Sequence, residues 1–164
     1  MAYQQKKTIL SISTGILVMA AYILYALDRV NAGAADLGDM KFWAGAMLVF
    51  IGIGAGITIV IQIVFHILLA VSIAARERES SGKEINKTLK ASTVEDEMDK
   101  LIELKSLRVG YALAEIGVAA SLLSLVLGSP PAVMLNILFL SLGIGSLAEG
   151  FVSLHYYKAG VNNG

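Results

Sequence analysis

Four uninterrupted apolar stretches constrain this chain of 164 residues more than any other feature. They run from Thr8 to Leu27, Phe42 to Ala75, Leu107 to Leu127 and Ala132 to Tyr157, each at or above the roughly 20 residues that cross a bilayer core as a helix. None alternates polar and apolar residues as a strand would. Within lipid, only helices and closed barrels satisfy their own backbone groups. The expected architecture is therefore all-α: a polytopic membrane protein with four transmembrane helices in an antiparallel bundle, one domain over residues 1–164. Composition points the same way, with 56% hydrophobic and 16% charged residues and a mean hydropathy of +0.71. A soluble domain is nearer 45–50% apolar and about 25% charged. Thirteen basic and thirteen acidic residues cancel, which removes the electrostatic case for nucleic acid. The chain has no Cys, so disulfides, thiol catalysis and thiolate metal sites are excluded.

Orientation follows from Lys and Arg. Lys6, Lys7, Lys158 and eight residues of the central 76–108 region lie on one side, against Arg29 and Lys41 on the other. That bias places both termini and the central loop in the cytoplasm of a multi-pass protein of the cell membrane. The first stretch exceeds the 7–15 residues of a signal-peptide core, so an uncleaved span is expected. Asn86-Lys87-Thr88 matches a glycosylation acceptor, but a cytoplasmic loop never meets that machinery. The second stretch, about 51 Å long at 1.5 Å per residue, overshoots a hydrocarbon core of roughly 30 Å. Trp43 suits the outer interface. Residues 76–106 read as a cytoplasmic loop with a short amphipathic helix, started by the Ser92-x-x-Glu95 capping box and carrying Val94, Met98, Leu101 and Ile102 on one face. Gly128-Ser129-Pro130-Pro131 makes the third and fourth helices neighbours through a tight turn.

Helices in lipid associate through close packing of small residues. The third helix carries Gly110, Ala114, Gly117, Ser121, Ser124 and Gly128 at spacings of four and three. The second carries Gly45, Gly52 and Gly56, and the fourth carries Ser141, Gly145 and Ala148. Gly52, Gly56, Gly110, Gly117 and Gly145 are the expected packing seam. The Gly-x-Gly pairs at Gly52–Gly54 and Gly143–Gly145 follow no strand, so they read as packing rather than nucleotide binding. Gly-Ile-Gly precedes a His in both the second and fourth helices, a weak echo of a repeat.

Ionisable residues within membrane helices are functional candidates by default. Here they are His66, Glu115, Glu149 and His155. At 100° per residue, His66 lies two heptads beyond Gly52, Glu149 four residues beyond Gly145 and His155 seven beyond Ala148, so all three face inward. Each also has a plainer reading, as an interfacial anchor or a packing contact. Glu149 with His66 or His155 is the candidate proton or ion site at the cytoplasmic end. Glu115 follows Ala114 and swings off the seam, which makes it the candidate oligomer-interface residue; protonation or pairing with Arg108 is the alternative. No catalytic, cofactor-binding or metal set emerges. Glu149 and His155 miss the Glu-x-x-His spacing of di-iron bundles, and the acids at Glu95, Asp96, Glu97, Asp99 and Glu103 suit a solvated helix N-terminus.

The run from Glu95 to Lys105, leading into an apolar helix with Tyr111, resembles a juxtamembrane segment of small, functionally uncharacterised four-helix bacterial integral membrane proteins. That resemblance implies architecture and a bacterial origin and transfers no functional residue. Two functions stand against each other. One is an oligomeric transporter or channel for protons, ions or a small solute, with no enzyme activity and no cofactor. The other is a non-catalytic subunit or regulator that binds a membrane or cytoplasmic protein. The first requires a hydrated cavity at the ionisable groups. The second requires a dry bundle with an apolar patch at Met98, Leu101 and Ile102.

Overall fold

The computed structural model describes residues 3–76 and 97–159. Every element in it is an α-helix: α1 (Tyr3–Asn31), α2 (Met40–Arg76), α3 (Glu97–Val126) and α4 (Pro131–Ala159). All four contain a stretch long and apolar enough to cross a membrane. α3 begins at Glu97, so the amphipathic segment and the apolar stretch from Leu107 are one continuous helix. The capping box, the glycosylation-like triplet and the rest of 77–96 lie outside the described residues.

Local chemistry sets the helix ends. α1 stops in a Schellman motif: Gly33 takes φ 62°, its N–H reaches the Val30 carbonyl and the Ala34 N–H reaches that of Arg29. Such a backbone is cheap only for glycine. α3 ends identically, with Gly128 at φ 82° and bonds from Gly128 to Leu125 and Ser129 to Ser124. Asp39 caps α2 by accepting from the Phe42 N–H at 3.0 Å. Pro131 opens α4, where a missing N–H costs nothing.

α4 packs against each of the other three helices, most extensively against α3. The α3–α4 contact is a backbone-to-backbone approach. A methyl built at Gly110 would stand 2.9 Å from the Gly145 carbonyl oxygen, one at Gly145 would stand 2.6 Å from that of Gly110, and one at Gly117 would overlap Ser141. Ser141 and Ser121 turn their hydroxyls back onto carbonyls of their own helices, so the seam carries no unmet donors there.

The α1–α4 contact uses glycines that face a second direction. A methyl at Gly143 would run into Met19, one at Gly150 would lie 2.6 Å from Ile12, and Gly15 sits 3.0 Å from Leu147 by the same construction. Gly143 and Gly145 are two residues, about 200°, apart on the helix. One therefore serves α1 and the other α3.

One end of the bundle is closed by an aromatic core of Tyr22, Trp43, Met47 and Ala132. Phe139 and Phe50 pack on Tyr22 with ring centroids 4.5 and 5.3 Å away, and the Tyr22 hydroxyl donates to Asn136 at 2.7 Å. Trp43 is drawn into this core rather than left at an open interface: it is 1% exposed and its indole donates to the Asp36 carbonyl. Much of the outward surface is apolar, with Leu17 at 71% and Val126 at 82% exposure among many such residues. Water penalises a surface of that kind.

Gly45, Gly52 and Gly56 meet nothing within 4 Å among the described residues. The expected seam on α2 is thus not a contact among the described residues. α2 leans on α1 through Gly54, whose missing Cβ would make ordinary contact with Val18, and through the aromatic core. Spacing alone marks a stripe of small residues without saying what lies opposite it.

Candidate functional site

At the other end of the bundle, α1, α3 and α4 diverge around a polar cavity of about 220 Å3. Each helix supplies a polar stripe at helical spacing. α1 gives Gln4, Lys7, Thr8 and Ser11; α3 gives Asp99 and Glu103; α4 gives Ser146, Glu149, Ser153 and Tyr157. Tyr157 ties the three together. Its hydroxyl donates to the Asp99 carboxylate at 2.9 Å, and its carbonyl accepts from the Gln5 amide at 3.0 Å.

Glu149 is half-buried in this wall because Gly110 leaves room for it. A Cβ at Gly110 would lie 3.1 Å from the Glu149 Cβ and 3.4 Å from its Oε2. One residue therefore sets both the helix spacing and the seat of the carboxyl group. Ser106, between Glu103 and Gly110 on α3, is 1% exposed, and its hydroxyl has no partner among the described residues.

The cavity groups Glu149 with Asp99 and Glu103, not with His155. His155 is exposed and stands edge-on to Tyr156, ring centroids 6.2 Å apart. Six residues beyond Glu149 is about 240° around the helix, so the two side chains diverge, whereas Ser153 and Tyr157 return to the Glu149 face. His66 lies on α2, and its side chain is outside the described residues. Glu115 is exposed on α3, away from the α4 contact. Ile102, expected in an outward patch, is buried at 2% exposure, although Met98 is half exposed.

Asp99, Glu103, Lys7 and the hydroxyls were missed as site residues. The signal was present in α4, where Ser146, Glu149, Ser153 and Tyr157 recur at three, four and four residues within an apolar run. The acids of α3 read as solvent-facing because nothing in their sequence shows that they share a cavity with residues of α1.

Two further openings adjoin the cavity. A recess of about 130 Å3 between α1 and α2 is lined by Lys7, Ser11, Thr14, Thr58, Gln62 and Phe65, among others. A larger groove of about 470 Å3 lies between α1, α2 and α4, with walls of Val18, Met19, Phe50, Phe139 and Leu147. Among the described residues, no three His, Asp or Glu side chains converge closely enough to hold a metal ion.

No protein-family model matches this chain, and no curated protein or solved structure shows significant similarity to it.

Proposed function

We propose that this is a multi-pass protein of the cell membrane, an antiparallel bundle of four transmembrane helices with cytoplasmic termini. In this reading it moves protons, cations or a small charged solute through the cavity at Glu149. The carrying observation is the placement of the Glu149 carboxyl group. It sits within an apolar helix yet on the wall of a polar cavity that Lys7 and Tyr157 also line, and an ionisable group so placed marks a substrate or ion pathway by default. The regulator alternative is disfavoured by Ile102, whose burial removes the centre of the apolar patch it requires.

The protomer works as a homo-oligomer in this reading, with the exposed Glu115 meeting a polar group of a second copy, since a lone carboxyl group facing lipid costs about 2.5–3.5 kcal/mol on insertion scales. Flux is measured in liposomes carrying the full chain and an internal pH-sensitive dye, under an imposed potassium-diffusion potential. Wild-type protein is expected to carry proton or cation flux above empty liposomes, and Glu149→Gln to lose at least tenfold of it while His155→Ala retains it. Equal flux in wild type and Glu149→Gln overturns the assignment.

A further inference from the structure

The polar cavity is not an isolated chamber. It shares Ser11, Ser146 and Gly150 with the apolar groove between α1, α2 and α4. The smaller recess shares Lys7 and Ser11 with the cavity, and Thr14 and Thr58 with the groove. Ser11 borders all three. The openings therefore adjoin one another, with a mostly apolar lining in the groove and a polar lining at Glu149.

The groove also reaches the aromatic core. Phe50 and Phe139 line it, and both pack on Tyr22 in the aromatic core. An elongated occupant with its apolar body in the groove, against α1, α2 and α4, would have its head toward Glu149. At about 470 Å3 the groove is the size of an ordinary small-molecule site. Among the described residues that line it, the head end carries the carboxyl groups of Asp99, Glu103 and Glu149 and the ammonium of Lys7. That balance attracts a cation and repels an anion. The carboxylates do not converge on a single metal ion, whereas a bulky organic cation can reach several of them at once.

We infer that cavity and groove are one binding site for an amphiphilic organic cation, a quaternary ammonium or phosphonium bearing apolar groups, with its charge at Glu149 and its apolar body in the groove. This names the substrate class of the site proposed above and rests on that reading.

Three probes separate charge from apolar bulk. Tetraphenylphosphonium carries both, tetraphenylborate has the same shape with opposite charge, and tetramethylammonium has the charge without the bulk. Binding is measured by titration calorimetry on the purified full chain in neutral maltoside micelles. Tetraphenylphosphonium is expected to bind at least tenfold more tightly than either of the others. Glu149→Gln is expected to weaken it at least tenfold. Ala55→Leu and Thr58→Leu, which add bulk to the groove wall, should weaken tetraphenylphosphonium and leave tetramethylammonium unchanged. Gel filtration and a melting curve identify which variants remain folded, and one folded variant of the two suffices.

Tetraphenylborate binding as tightly as its cationic counterpart overturns the inference, since apolar partition alone would then explain both. Equal binding of tetramethylammonium and tetraphenylphosphonium, both lost in Glu149→Gln, overturns the amphiphile and leaves the cation reading standing. Binding of every probe independent of Glu149 removes both.

Discussion

At Gly110 the separation of α3 from α4 and the seat of the Glu149 carboxyl group depend on one absent side chain. A methyl there would stand 2.9 Å from the Gly145 carbonyl oxygen, which is backbone and cannot rotate aside, and 3.1 Å from the Glu149 Cβ. Gly110→Ala should therefore force the helices apart, at the about 1–3 kcal/mol usual for overpacking. The gain of up to about 1 kcal/mol from better helix propensity offsets only part of that. Gly56→Ala makes the same chemical change where nothing stands within 4 Å among the described residues, so it should be neutral or slightly stabilising. Unfolding of both variants in mixed detergent micelles tests the pair, and equal stability would refute the close approach at Gly110.

Among the elements, α3 and α4 behave as one hairpin and α2 as a looser partner. The hairpin is short-looped, glycine-terminated, joined backbone to backbone at Gly110 and Gly145, and packed against the Ser141 side chain at Gly117. α2 is held at one end by Trp43, Met47 and Phe50, and openings separate it from α1 toward Thr58 and Gln62. In the proposed membrane setting lipid supplies no hydrophobic drive between helices, so contact quality would decide which pairs are firm. Gly117→Leu overlaps Ser141 and should lower the melting temperature by several degrees or more. Gly52→Leu faces open space and should leave it within about a degree or two of wild type, apart from any effect on assembly. Equal melting temperatures for the two variants would refute this division of firm and loose contacts.

For the whole molecule, two outcomes test the proposed disposition in the membrane. Eleven of thirteen Lys and Arg residues lie toward the termini and central loop, so a reporter fused after Gly164 should be active in the cytoplasm and one inserted at Gly33 should report from outside. The reverse pattern would turn the cavity to the other face. Assembly is read separately, by native mass measurement from mild detergent. Glu115→Leu should shift the oligomer distribution, whereas Glu149→Leu should leave the distribution unchanged. A strictly monomeric wild type in native lipid would leave Glu115 without the partner proposed for it.

Helix number and type were legible in the chain because both are local properties. Apolar length over 20 or more residues, Gly128 ahead of two prolines, and Gly110–Gly117 spacing each act within one or two turns. The α3–α4 contact was readable for the same reason, since a four-residue connection leaves the two helices little choice of neighbour. What spacing could not supply was direction toward a non-adjacent helix. Small residues on α2 and α4 look alike in sequence, yet Gly145 meets the Gly110 backbone and Gly52 meets nothing within 4 Å among the described residues. Gly143 was read only as packing, with no sign that it faces α1. The neighbours of Glu149 in its cavity were hidden on the same grounds: the angle from Ala148 pointed toward His155, whereas α1 and α3 bring Lys7, Asp99 and Glu103 to the cavity wall. The sequence by itself determined four apolar helices and one tight hairpin. Only the tertiary structure decided which polar stripes share a cavity, because that depends on the rotation of each helix about its axis. Packing against distant neighbours sets that rotation, and the order of residues along the chain does not.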